Sequence, residues 1–158
     1  MKNMSKVKIL VGIMLLASAV NAEESELSYG LGIGALYNGV GINIASPSKE
    51  DLKYVSLGCI DFSYSSYVGF NTNCGVGIGY INTSIIGNSN KHGLGVHLAV
   101  HEDEGGASST QVSLGAGYTY FLNQSKIGWN FGLTPMYIFG DSENNNKVAL
   151  LFDLGYQF

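Results

Sequence analysis

An all-β fold is predicted for this chain: an eight-stranded antiparallel up-and-down transmembrane β-barrel, preceded by a cleaved signal peptide. Three observations predict it. Beyond residue 26 the sequence alternates apolar with small or polar residues at period two, in eight separate runs. The runs are almost free of charge on both faces, Asp61 and Asp153 excepted, where a soluble sandwich would turn lysine and glutamate to water. No later segment holds the roughly 18 uninterrupted apolar residues that a spanning helix requires.

The composition agrees with one domain. The chain has 158 residues, 13% of them charged, with 22 glycines and 10 tyrosines, which excludes a disordered tail, a collagen repeat and a coiled coil. Formal net charge is −4, and no arginine is present. Three of the eight lysines (Lys2, Lys6, Lys8) lie in the first eight residues, so the chain from residue 23 carries five lysines against twelve acids, or −7. That balance argues against a nucleic-acid partner and offers no attraction to anionic lipid.

The elements follow in order. Residues 1–22 run from lysines through an apolar stretch, 9–20, to Val20-Asn21-Ala22 before Glu23-Glu24, the layout of a secretory signal peptide. About 12 apolar residues fall short of the roughly 20 of a membrane anchor. Cleavage is expected after Ala22, with Ala19 as second choice, leaving a barrel domain at 23–158 in an exported, oxidising compartment.

The first strand is expected at 27–37, with Leu27, Tyr29, Leu31, Ile33, Ala35 and Tyr37 on its apolar face. The second follows at 40–46, joined through Asn38-Gly39, a dipeptide suited to a type I′ turn. A tight turn there pairs Tyr37 with Val40, Ala35 with Ile42 and Ile33 with Ile44, all on one face. Further strands are expected at 54–64, 74–84, 92–101, 109–121, 127–139 and 147–158, joined by polar connectors. One face of each is aliphatic or aromatic; the other is glycine, serine, asparagine and histidine. Apolar residues towards lipid and small or polar ones towards a lumen is the membrane-barrel pattern, and closure leaves no backbone amide unpaired in hydrocarbon. Aromatics sort to strand ends: Tyr29, Tyr80, Tyr118, Tyr120, Trp129, Tyr156 and Phe158 at the end holding both termini, and Tyr37, Tyr137 and Phe139 at the other. Two girdles at two water interfaces are expected.

The last strand carries Val148, Leu150, Phe152, Leu154, Tyr156 and a terminal Phe158 at alternate positions. This resembles the C-terminal signal of bacterial outer-membrane barrels, read by the barrel assembly machinery. With the signal peptide and eight runs, the chain is similar to the small eight-stranded outer-membrane proteins, the OmpX-like and OmpA transmembrane-domain groups. The resemblance implies a cell-outer-membrane location, lipid and the assembly machinery as partners, and a monomer. It departs in having no arginine for a charged lumen network and short exterior connectors, so adhesin activity is not carried over.

Candidate chemistry is sparse. If Leu57 pairs with Val76 and Val55 with Ile78, Cys59 falls opposite Cys74, close enough for a disulfide. His97 and His101 stand four apart on a strand, about 13 Å, too far to share a metal, so no metal or cofactor is expected. His97, Ser113 on the next strand and Asp153 across the lumen supply base, nucleophile and orienter types. They are weak catalytic candidates, and a lipid A acyl-modifying hydrolase or transferase is the enzymatic alternative to a non-enzyme. The acidic stretch His101–Gly106 lacks the alternating ligands of a calcium loop and reads as solvated. Inward glycines crowd the terminal half, among them Gly30, Gly32, Gly77, Gly79, Gly93, Gly95, Gly117, Gly132 and Gly155, whereas Leu36, Ile60, Phe62, His101, Gln111, Met136 and Leu151 fill the other. A lumen plugged above, hollow below and closed to flow is expected. The leading function is a structural or surface-interaction protein without an open pore. A narrow channel or small-ligand binder using the lower lumen is the further alternative.

Overall fold

A computed structural model of the chain describes residues 27–65, 69–87, 89–103, 109–139 and 146–158. The expected signal peptide, and the connectors at 104–108 and 140–145, lie outside them. Eight antiparallel strands close into one barrel in sequence order: β1 Ser28–Gly34, β2 Gly39–Pro47, β3 Asp51–Ser65, β4 Gly69–Asn82, β5 His92–Asp103, β6 Ser109–Phe121, β7 Gly128–Phe139 and β8 Lys147–Gln157. β1 closes on β8 through Leu31–Tyr156 and Ile33–Leu154, and Phe158 N–H donates to Tyr29 at 2.7 Å.

Faces sort as the alternation requires. Leu31, Ile42, Leu57, Val96, Leu114, Leu133 and Leu150 point outward and are exposed, while Asn43, Ser56, His97, Ser113, Thr134 and Asp153 are buried within. At the end holding the termini, Trp129 packs edge-on against Tyr156 at 5.4 Å and Tyr156 meets Phe158 at 4.9 Å. Tyr137 and Phe139 pair at the opposite end, 4.8 Å apart.

The first hairpin differs from expectation. β1 stops at Gly34, and Ala35–Tyr37 form a 3-10 turn that dives into the barrel with all three residues buried. Ile33 therefore pairs with Val40, Leu31 with Ile42 and Tyr29 with Ile44, a slide of four residues. Tyr37, expected in an outer girdle, is fully enclosed. The reversal is set by positive φ at Gly34 (105°), Asn38 (57°) and Gly39 (95°), conformations that glycine and asparagine tolerate. Asn38 N–H closes the turn on Ala35 O at 3.1 Å.

β3 and β4 pair in the expected register up to Cys59–Cys74, which form a disulfide. A bulge then leaves Ile60 unpaired and shifts the ladder by one, so that Asp61 pairs with Asn73 and Phe62 with Thr72. The inward position expected for Phe62 concerns a side chain outside those described.

Candidate functional site

The lumen is where the side chains of chemical interest converge, and buried side chains occupy its terminal mouth and its glycine-lined half. At the terminal mouth Leu52, Ile81 and Phe121 form an apolar layer. Lys126, in the β6–β7 turn, sends its ammonium to the carbonyls of Ser48 (2.7 Å) and Lys49 (2.9 Å) in the β2–β3 turn. Those turns stand on opposite sides of an eight-strand ring, so Lys126 straps the mouth. Burial lowers its pKa below the ordinary value, against the pull of Asp51 and Glu50. Thr83 reinforces this closure, its N–H and hydroxyl both reaching Glu50 O, at 2.6 and 2.9 Å.

Above that layer the glycine-lined half is occupied, which corrects the expected hollow. The Tyr37 ring lies against Gly32 and Gly155, where any Cβ would collide with it, and its hydroxyl accepts from Asn130 Nδ2 at 2.7 Å. The phenol of Tyr54 covers Gly79 in the same way, and Ile81 covers Gly93 and Gly95. Each glycine is thus a socket for a large side chain from a neighbouring element rather than the floor of a cavity. Among these side chains lies a space of about 10 Å³ lined by Leu36, Tyr54, His97, Thr134 and Asp153, about enough for one water.

Asp153 anchors the plug. Its Oδ1 accepts the Leu36 N–H at 3.1 Å and its Oδ2 the Thr134 hydroxyl at 3.0 Å. Asn43 Nδ2 donates to Leu36 O at 3.2 Å from the other side. The 3-10 turn is therefore held by a carboxylate 117 residues away in sequence.

His97 is buried, with Nδ1 3.2 Å from the Tyr54 hydroxyl and the two rings stacked at 6.0 Å. Its Nε2, the hydroxyls of Ser56 and Ser113, and both ring nitrogens of His101 are buried without a hydrogen-bond partner. Ser113 pairs across the ladder with Ala99, while His97 pairs with Gly115. The three weak catalytic candidates are thus not brought into a relay: Asp153 holds the turn, His97 faces Tyr54, and Ser113 bonds to neither. Among the described residues no group of three His, Cys, Asp or Glu side chains converges on a metal position. At the far half His101 and Met136 are buried and Gln111 and Leu151 half-buried, with Asn73 Nδ2 reaching Gln111 Oε1 at 3.4 Å.

Tyr54 and Lys126 escaped the sequence reading. Tyr54 had a readable signal, since it shares the inward parity of Ser56 and Gly58 and falls opposite Gly79. Lys126 had none, because its partners are main-chain carbonyls of a distant turn. Comparison with protein-family models, curated proteins and solved structures finds no match to this chain.

Proposed function

We propose that the chain is a small integral outer-membrane barrel with a closed lumen, serving a structural or surface-interaction role, not a pore or an enzyme. The observation that carries the reading is the exterior. Every strand turns exposed aliphatic or aromatic side chains outward, including Leu31 (53% exposed), Ile42 (55%), Leu57 (52%), Val96 (55%) and Leu150 (53%). A belt of that extent far exceeds the few hundred Å² of apolar patch that a water-soluble monomer presents, and suits acyl chains. The aromatic pairs at both strand ends support it as interfacial girdles, and the Cys59–Cys74 bridge supports an oxidising, exported setting. Phe152, Leu154, Tyr156 and Phe158 are the strand the assembly machinery reads, and lipid is the principal partner of a monomer.

The rings of Tyr37 and Tyr54 seated against the lumenal glycines support a barrel closed to solutes. The engagement of Asp153 with Leu36 and Thr134 supports a scaffold over an acyl-transfer centre. Fractionated envelopes run boiled and unboiled on a gel test the proposal. A folded barrel in the outer-membrane fraction migrates differently in the two lanes. A product lacking residues 1–22 that stays dissolved and monomeric without detergent overturns it.

A further inference from the structure

The bulge at Ile60 changes which acid takes a lumenal position. Up to Cys59 the buried positions of β3 are Leu52, Tyr54 and Ser56. Continued unbroken, that parity leaves Asp61 on the outer face. The bulge skips Ile60 and brings Asp61 into register with Asn73 of β4. Asn73 is buried (9% exposed) and shares the inward parity of Gly75 and Gly77. On its other side Asn73 pairs with Asp103 of β5, two residues beyond the fully buried His101. Asp103 pairs in turn with Ser109 of β6. Positions paired directly across an antiparallel ladder share a face of the sheet. The far mouth therefore carries one row, Asp61–Asn73–Asp103–Ser109, on the face that Asn73 turns to the lumen.

Nothing basic stands in that row. Of the lysines beyond residue 22, Lys49, Lys53, Lys91 and Lys126 lie at the terminal end, and Lys147 opens β8, across the ring from β4. His101, the basic residue next below on β5, has both ring nitrogens buried without a partner. The amide of Asn73 is oriented by its donor side, Nδ2 reaching Gln111 Oε1 at 3.4 Å. Its Oδ1 is left buried with no donor. Buried acceptors are almost always satisfied, and this one sits between two aspartate positions, where a neutral donor would leave the negative charge uncompensated. The row calls for a cation.

We infer that Asp61, Asn73 and Asp103 form a binding site for one calcium ion at the far mouth of the barrel. The donors are carboxylate and amide oxygens, the ligands of hard cations, and the row holds no cysteine to select a soft one. Strands about 4.8 Å apart put Asp61 and Asp103 roughly 10 Å apart with Asn73 midway. Two aspartate side chains and two Ca–O distances of about 2.3–2.6 Å span that gap. Calcium's irregular coordination accepts Ser109 and water as remaining ligands, whereas magnesium demands a near-ideal octahedron. Bound there, the ion ties β3, β4 and β5 together beyond Val40–Cys59, the last pair that β2 makes with β3. Asp61 and Asp103 meet on one row only through the bulge, so no local motif announces the site. It depends on the barrel and its register alone, apart from the membrane reading.

The test is calorimetric titration of calcium chloride into the protein folded in octyl glucoside, a detergent without phosphate, after stripping with a chelator. One calcium per chain is expected. D61N and D103N keep side-chain volume and remove charge, and each weakens binding by about tenfold or more; N73A, which removes the orphaned oxygen, does the same. E102Q changes an exposed acid whose position pairs with Cys74, on the opposite face from Asn73, and leaves the affinity at the wild-type level. A gel shift on boiling verifies that each variant is folded. Thermal unfolding of the wild type gives a readout that needs no variant, since an ion bound only by the folded chain raises the midpoint. Absence of binding up to about 10 mM calcium, or a midpoint that calcium leaves unmoved, overturns the site. Equal weakening by E102Q and D103N also overturns it and marks diffuse attraction to an acidic rim.

Discussion

Replacing Tyr37 with alanine removes the side chain that fills the glycine-lined half of the lumen. Tyr37 has no exposed surface, and its hydroxyl is the acceptor for Asn130 Nδ2. Burying an aromatic side chain of roughly 200 Å² at about 25 cal/mol per Å² corresponds to about 5 kcal/mol. Stranding the Asn130 amide costs about 1–3 kcal/mol more, and partial collapse of the socket returns some of the total. A loss of about 4 kcal/mol is expected for Y37A. Y37F keeps the ring and strands only the amide, so about 1–2 kcal/mol is expected. Urea unfolding in lipid vesicles, followed through Trp129, the one tryptophan of the chain, measures both. If Y37A unfolds within about 1 kcal/mol of wild type, or Y37F costs as much as Y37A, burial of the ring does not stabilise the barrel.

Asp153→Ala removes the acceptor of Leu36 N–H and of the Thr134 hydroxyl and is expected to cost about 2–4 kcal/mol in the same titration; an unchanged midpoint would show the turn to be self-supporting. Opening the Cys59–Cys74 bridge, with 15 residues of separation, is expected to lower stability by about 3 kcal/mol in the chain-entropy account, read as the difference between unfolding with and without reductant. Lys126 is a base whose folded pKa lies below its ordinary 10.5, so the unfolded chain binds its proton more tightly. Stability then rises with pH as the lowered value is passed and levels off above 10.5. The difference between wild type and K126M is expected to grow over that interval, and a shrinking difference in unfolding free energy contradicts the sign.

The lumen was legible in part. Inward parity placed His97, Ser113 and Asp153 inside, and opposed strands placed Cys59 against Cys74, because both follow from the two-residue repeat. That repeat does not say what an inward side chain touches. Asp153 has the residue type of an orienter, yet it caps a turn 117 residues upstream. The glycines read as empty space because the rings that occupy them come from elsewhere: Tyr37 from a turn and Tyr54 from β3.

Alternation alone was enough to specify eight strands, their two faces and closure of an apolar-out sheet, since side-chain direction in a strand depends only on parity. It could not choose between pairing Ile33 with Ile44 and pairing Ile33 with Val40. The slide is of four residues, an even number that leaves every face unchanged, so both registers satisfy the same pattern. Only the assembled barrel separates them. In it the Tyr37 ring meets Gly32 and Gly155, and the Leu36 amide meets Asp153, contacts between segments that are neighbours only after β1 closes on β8.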